Sequence, residues 1–600
     1  MTLHPPKPRL ALSVGIVGHR PNRLPAGAWA EVAAGINEAL TLVSAAAQTA
    51  WVRNREFFTE EPPALTLVSA LAEGADRIAA CAALENGYSL TAVLPFDSEE
   101  YERDFNEASS ISEYEGLLEK ADRTVALPGN RAPEAFAYET AGLTILGNVE
   151  ILLAVWDGGA SAGRGGTTDL VERAAQDGLP VIHVDAAGKK PPRLLWFGLA
   201  EFACAGGGAC NLPSADLASA LPGIIENLVR PPSDQAETAE LSRYLRETWK
   251  PRNWRPEVPL LLALLGLRLL RKTDFKPTEP AALAVVFHSS AIFPPPKVTE
   301  PTPVDALSPA TLAFGWADAL AIRYAQIFRG AYISNFLFSA FAVFAAATSL
   351  VGTRLFDWPG WPLALLEIAF VVFVFVNTYL GRKRDWHNRW RQSREVAERL
   401  RAIQPLRMLA QDSGASRAGE ATWTAWYVRA QMRALGLSAG ALNEARLEEI
   451  RQTLISIVDS QGAYHTHVAA LMRGVEHRIK RLGQGLFGFT IIFAAVKIVT
   501  ALSGFDLPVN WQYVLTGLTA ALPALGAATF GVRLIGDFEG VAQRSERTGA
   551  ALTNLANALR QDPPELTILR SRARLIADAM LGDVSHWRMT TETRKLVVPA

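Results

Sequence analysis

Chemistry in this chain concentrates where glycines stand beside basic and hydroxyl side chains. The run Gly163-Arg164-Gly165-Gly166-Thr167-Thr168 follows closely on Asp157-Gly158-Gly159. Glycines bring backbone N–H groups near an anion because no Cβ stands in the way. A helix opening at this point adds the partial positive charge of its N-terminus, and Arg164 adds a full one. Asp157, Gly158, Arg164, Gly165, Gly166 and Thr167 therefore read as a phosphate cradle. Glycine loops also occur in α/β turns that bind nothing, so the pattern gains weight from company. Gly18-His19-Arg20 is a second glycine-then-basic loop, and Ser69 with Glu73 lies in a third.

Each of these loops follows a stretch that reads as a strand. Leu10–Val17, Leu65–Val68, Ile151–Trp156 and Val181–Val184 are short apolar runs, as in strands buried on both faces. Thr168 or Thr167 is expected to N-cap a helix through Val171, Ala174 and Ala175, which Gly178 ends. In a doubly wound sheet the loops at the carboxyl ends of strands converge on one crevice, where ligands bind. The expected N-terminal unit is thus α/β, with its ligand at the Gly18, Ser69 and Gly165 loops.

Four motifs in order, GIVGHR (Gly15–Arg20), SALAEGADRIAACAALENGY (Ser69–Tyr88), LPFDSEEYERDF (Leu94–Phe105) and AVWDGGASAGRGGT (Ala154–Thr167), resemble the SLOG superfamily. The resemblance spans roughly residues 8 to 190. It implies a Rossmann-like fold and a nucleotide-derived ligand, as in the DNA-processing proteins, the "lonely guy" hydrolases and sensor domains of bacterial antiviral systems. The hydrolases carry a PGGxGTxxE-type motif. Here Leu170 occupies the glutamate position and Asp169 lies one residue early, which favours binding without turnover.

The 59 Lys+Arg balance 60 Asp+Glu, so nothing points to nucleic acid as a partner. Mean hydropathy is +0.11, high for a chain with 20% charged residues, so apolar residues must be concentrated somewhere. Cys81, Cys204 and Cys210 form no CxxC or Cys/His cluster, which fits a reducing compartment and predicts no metal site. Met1–Arg9 lacks an apolar core and does not read as a signal peptide.

The apolar excess lies beyond residue 330. Tyr332–Val351, Pro362–Leu380, Leu486–Leu502 and Tyr513–Ile535 each approach the length needed to cross a hydrocarbon core of about 30 Å. Short loops join them in pairs, and Trp358, Trp361, Trp511 and Tyr513 stand where interfacial aromatics belong. Arg382–Arg401 carries eight basic against three acidic residues, whereas the short loops hold little charge (Arg354 with Asp357, and Asp506). Positive-inside reasoning puts both short loops outside and the rest, including both termini, in the cytoplasm.

Between the hairpins, Glu395–Leu409 and Asn443–Leu482 have helical apolar spacing. Val258–Leu270 reads as a buried packing helix, with a membrane-surface helix as the alternative, and Pro294–Pro303 as an extended linker or a loop lying on a surface. His465 and His467 fall on different helical faces and suit no metal. Arg391, Arg394 and Ala397 after the first hairpin are echoed by Arg544, Arg547 and Ala550 after the second, a faint internal repeat. The stretch WHNRWRQSREVAERLR (Trp386–Arg401) resembles the SLATT domains, two-helix membrane effectors that accompany SLOG sensors, here duplicated into four spans.

The expected organisation is a nucleotide-binding domain over 1–190, an irregular region with helices over 191–320, and transmembrane hairpins over 321–385 and 483–535. Cytoplasmic helices fill 386–482 and 536–600. The resemblances imply a homo-oligomeric inner-membrane effector that senses a nucleotide second messenger and permeabilises the bilayer in bacterial antiphage defence. The alternatives are a membrane-anchored nucleotide hydrolase, using Glu73, Asp76, Asp157 or Asp169 as its acid, and a metabolite-regulated channel. Glu367 and Lys497 fall at similar depth near the outer interface. Charges in the bilayer are costly unless paired, so the two are expected to pair as a gate.

Overall fold

The apolar runs form a sheet because each is cut by a turn and buried on both faces. The computed structural model describes residues 3–159, 164–199, 212–252, 255–289, 307–411, 422–504 and 507–592. Gly163, Cys204, Cys210, Asp506 and the prolines of 294–303 lie outside them. Strands β1 (Ala11–Gly18), β2 (Ala64–Ser69), β3 (Ser89–Leu94), β4 (Arg123–Ala126), β5 (Ile151–Trp156) and β6 (Val181–Asp185) are parallel, in the order β6-β5-β1-β2-β3-β4. The chain winds outward from β1 to β4, then returns to place β5 on the other side of β1, with Gly18 opposite Val155. The winding direction therefore reverses between β1 and β5, the place where open α/β sheets hold ligands.

The sheet does not stop near residue 190. β7 (Arg193–Leu195) and β8 (Ser214–Asp216) add antiparallel to β6. A two-residue strand from the helical part, β9 (Gly440–Ala441), pairs with the far edge at β4. One face of the sheet is covered by α1 (Trp29–Arg53), α2 (Ala75–Glu85), α3 (Ser98–Tyr101) and α4 (Ala108–Glu119). The other carries α5 (Glu134–Gly147) and α6 (Thr167–Gln176). Helix α7 (Leu217–Val229) packs against α1, so this part of the region read as irregular belongs to the α/β core. Next come α8 (Gln235–Leu245), α9 (Glu257–Leu264) and α10 (Pro280–Ser289).

Two expectations need correction. Helix α6 begins at Thr167 with Gly166 as its N-cap and no side-chain cap. Asp169 in the first turn instead reaches back to accept the Gly165 N–H at 3.0 Å, bracing the loop ahead of the helix without capping its first turn. Around α9, only Pro259 and Leu262 are buried, while Leu260, Leu264, Leu269 and Leu270 are exposed. This is not a buried packing helix: apolar composition reports an affinity, not which neighbour satisfies it.

The remainder is helical: α11 (Pro309–Leu355), α12 (Trp361–Lys383), α13 (Trp386–Arg407), α14 (Trp423–Leu435), α15 (Glu444–Ser503), α16 (Val509–Gly536), α17 (Phe538–Gln561) and α18 (Leu566–Glu592). Four of the described helices, α11, α12, α15 and the α16–α17 run, are long and apolar enough to cross a membrane. Helix α15 joins the expected cytoplasmic helix and third apolar stretch into 60 unbroken residues, about 90 Å at 1.5 Å per residue. The apolar stretches pack as a row, α12 on α11, α11 on α16, α16 on α15. Gly517 and Gly531 of α16 admit Val351 and Phe336 of α11 into close contact, as small residues do where apolar helices cross. Each hairpin turns into its following helix at a left-handed aspartate, Asp385 (φ 51°) and Asp537 (φ 46°). The corner precedes Arg391 in one hairpin and Arg544 in the other, the first arginines of the faint repeat.

Candidate functional site

The loop after β1 is shaped by close packing. A Cβ on Gly18 would stand 2.3 Å from that of Ala75, so glycine lets α2 start directly beside the strand. Gly74 takes φ +93°, and a side chain there would press on the His19 carbonyl at 2.8 Å. The Ala75 N–H reaches that same carbonyl at 3.3 Å. These two glycines bring the N-terminus of α2 to the carboxyl end of β1.

His19 ties three elements together. Its backbone N–H extends the β1–β5 pairing to Val155 O at 3.1 Å. Its Nε2 lies 3.3 Å from the Asp157 N–H and 3.2 Å from Asp157 Oδ1, and its Nδ1 lies 3.4 Å from Thr167 Oγ1. Burial lowers the His19 pKa below its ordinary value, against the pull of Asp157. The neutral ring thus gives one nitrogen to Asp157 after β5 and the other to the first residue of α6. Burial raises the Asp157 pKa, but the Gly159 N–H, His19 and Arg23 outweigh it and hold the carboxylate below its usual range. Arg23 reaches Asp157 Oδ2 at 2.9 Å.

These loops and α5 enclose a cleft of about 530 Å³, open to solvent and ample for a nucleotide-sized ligand. Gly18, His19, Arg20, Arg164, Gly165, Gly166 and Thr167 all line it. Gly165 takes φ +74°, and a Cβ there would lie 2.8 Å from the Glu139 backbone nitrogen, so the loop hugs α5. Arg164 Nε pairs with Glu139 Oε2 at 2.7 Å while most of its side chain stays in solvent. Arg20 lies over the Tyr138 ring at 5.2 Å and reaches Asp104 Oδ2 at 3.4 Å. Asp104 in turn pairs with Arg131, so Arg20 stands at the end of a braced chain.

The remaining expected residues support the cleft from outside its lining. Ser69 is fully buried, with its Oγ accepting the Leu71 N–H at 2.9 Å and approaching Asp76 Oδ2 at 3.4 Å. The Glu73 carboxylate accepts the Ser110 hydroxyl. Asp157 backs His19, and Gly158 makes the turn behind it at φ +78°. Tyr101, Tyr138 and Arg23 line the cleft without having been expected there. Tyr101 lies in the LPFDSEEYERDF motif, whereas no motif flagged Tyr138, which α5 brings in. Leu170 also lines the cleft and packs on Gly142, which has no side chain to obstruct it.

Asp76 is the one acid of the alternative set that lines the cleft. Burial pushes its pKa up to about 7, against hydrogen bonds from Ala72, Ser69 and Ala70 and the charge of Arg20. In the apolar row, Lys497 Nζ donates to Thr516 Oγ1 at 3.1 Å. Glu367 lies on α12 and Lys497 on α15, the two ends of the row, so one chain does not bring them together. Compared with family models, curated proteins and solved structures, the chain shows no match.

Proposed function

We propose that the chain is a ligand-gated membrane effector. The α/β unit, read as Rossmann-like and cytoplasmic, binds a nucleotide-derived signal in the His19–Thr167 cleft. The four apolar helices cross the bacterial inner membrane, and an oligomer of them opens or ruptures it, in the setting of antiphage defence.

The observation that carries this reading is the two-sided position of α5. Tyr138, Ala141 and Ile145 of α5 line the cleft. From the same helix, Thr144 Oγ1 accepts Arg570 Nη2 at 3.0 Å, and Arg570 also donates to the carbonyls of Leu409 and Ala410. Leu409 follows α13, which continues hairpin one, and Arg570 lies on α18, which follows hairpin two. A ligand that draws α5 toward the Gly165 loop moves a contact shared by both hairpins. Binding gates the membrane part only through such a difference between two states.

Mass spectrometry of small molecules retained by the full chain, purified from phage-infected bacteria, tests the reading. A phosphate-bearing nucleotide derivative is expected from wild type and not from a Gly166→Trp protein. An empty cleft in both refutes it.

A second reading has its own support in Asp76, whose pKa near 7 suits a proton donor or acceptor in a nucleotide hydrolase. Ligand recovered cleaved after incubation, and intact with Asp76→Asn, would select it. Leu170 in the place of the hydrolase glutamate argues the other way.

A further inference from the structure

Helix α9 runs crosswise to the apolar row. Just ahead of it, Arg255 Nη2 donates to Asn377 Oδ1 of α12 at 2.7 Å. At its start, Glu257 Oε1 accepts the Ser334 hydroxyl of α11 at 3.0 Å. Just past its end, Arg478 of α15 donates to the Leu265 carbonyl, and a Cβ on Gly474 of α15 would stand 2.8 Å from Leu267. Helix α9 thus starts at α11 and α12 and ends at α15, with α16 between them in the row.

Its two ends share one level. Helix α16 is antiparallel to α11, since Gly517 meets Val351 and Gly531 meets Phe336. It is antiparallel to α15 as well, since Gly526 meets Phe487 and Thr529 meets Gly483. Counting along these contacts brings Ser334 and Arg478 to about the same height. There the apolar stretches of α11, α12 and α16 begin, on the side that carries the basic residues. On the reading of the four helices as spans, a helix lying across them at this height lies in the plane of a membrane surface.

The side turned away from the row suits that place. Pro259 and Leu262 are buried, whereas Leu260 and Leu264, one turn apart on α9, are exposed. Leu269, Leu270 and Phe275 in the turn after it are exposed too, Leu264 and Leu269 to 85% each. Large apolar side chains grouped so closely mark an interaction surface. Arg271, Lys272 and Lys276 are exposed among them. Asp274, the single acid from Leu260 to Lys276, pairs with Arg268 at 2.6 Å. Apolar side chains edged with basic ones match an anionic leaflet, which offers acyl chains and negative charge at adjoining depths. The apolar surface also continues onto α12 and α15, where Phe375, Val376, Ile491 and Ile492 are exposed.

We infer that Leu260–Lys276 is a lipid-docking site for the leaflet on the basic side. Its leucines and Phe275 enter the acyl region, and Arg271, Lys272 and Lys276 meet the phosphates of anionic phospholipids. The same lipid steadies hairpin one. Asn377, which accepts from Arg255, itself donates to Asn335 Oδ1 at 2.7 Å and to the Ala331 carbonyl at 3.1 Å. Seating α9 on the membrane therefore holds the polar knot between α11 and α12.

Nitroxide accessibility in the reconstituted full chain tests this. Leu264→Cys or Leu269→Cys is labelled after Cys81, Cys204 and Cys210 have been changed to serine. The vesicles are phosphatidylcholine, with or without phosphatidylglycerol. Oxygen, which concentrates in lipid, is expected to reach both labels more readily than a water-soluble nickel chelate does. Phosphatidylglycerol is expected to raise that preference about twofold, and Arg271→Gln with Lys272→Gln and Lys276→Gln to erase the gain. A label at Val372→Cys, exposed on α12, separates the docking site from the spanning reading on which it rests. Nickel access at Leu264→Cys and Leu269→Cys, beside a lipid-exposed label at Val372→Cys, overturns the docking site alone. Nickel access at Val372→Cys overturns the spanning reading and the docking site with it. Labels at Leu264→Cys and Leu269→Cys closed to both reagents mean that protein covers them, a second copy included, and also overturn the inference. So does a preference that phosphatidylglycerol leaves unchanged.

Discussion

Arg570 donates from Nη2 to Thr144 Oγ1 across 3.0 Å, joining a helix beyond the second hairpin to the helix that lines the cleft. Its other donors hold the Leu409 and Ala410 carbonyls, at 3.0 and 3.3 Å. Burial lowers its pKa to about 10, still protonated at neutral pH. Arg570→Met keeps much of the bulk and removes the three hydrogen bonds. Affinity at the cleft is expected to stay within about twofold, while ligand-dependent leak in liposomes falls at least tenfold. Equal loss of binding and leak would make Arg570 a folding contact and not a coupling one.

The cradle is tested by two substitutions with different structural risks. Gly166 has φ −75° and ψ 165°, backbone that any residue adopts. Gly166→Trp is therefore expected to fold and to lose binding, whereas substitution of Gly165 at φ +74° is expected to strain the loop itself. Arg164 must leave Glu139 to meet a ligand. Arg164→Ala is expected to weaken binding by about 1.5–3 kcal/mol, the range of a charge-assisted hydrogen bond. Unchanged affinity in both proteins, by calorimetry, moves the ligand elsewhere.

Acidity in the cleft gives a pH signature. The Asp76 pKa is raised to about 7 in the folded chain, above the ordinary 3.8. The fold therefore prefers the protonated form, and the stability tied to that preference is lost as pH rises from about 4 through 7. An anionic ligand also prefers a neutral Asp76, so its affinity is expected to fall as pH passes through 7. Arg20, whose charge pulls the Asp76 pKa down, stays charged throughout, Tyr101 stays neutral with its pKa pushed far up by burial, and burial keeps His19 neutral near pH 7. Asp76→Asn is expected to flatten both profiles. Identical profiles for wild type and variant between pH 5 and 8 would contradict the assignment.

How much of this was legible in the sequence follows from range. The strand ends and glycine loops are local patterns, and β5 occupies the expected Ile151–Trp156. The loops converge because a doubly wound sheet makes them do so. Contacts across distant segments left no local trace. The Arg123 bonds to Leu435 and Leu437 and the β9 strand at the sheet edge join residues more than 300 positions apart. Tyr138 looked like any aromatic on a helix. Around α9 the composition was read correctly and the neighbour was not, since leucines attract a membrane surface as well as a core.

Glu367 and Lys497 sit at the two ends of one chain's row, so the expected pair would have to form between copies. A ring of chains, α12 of one against α15 of the next, would supply it. In that arrangement Glu367→Gln is expected to leak without ligand, and Glu367→Lys with Lys497→Glu to close again. An exchanged protein that leaks as much as the single variants eliminates the pair.

The central claim, that filling the cleft opens the membrane, is tested most directly by dye release from liposomes that carry the full chain. Deproteinised extract of phage-infected cells is the probe, with extract of uninfected cells as the control. Release is expected with the infected extract alone, and not from liposomes carrying the Gly166→Trp protein. Liposomes that stay sealed while mass spectrometry finds the cleft occupied would contradict the account.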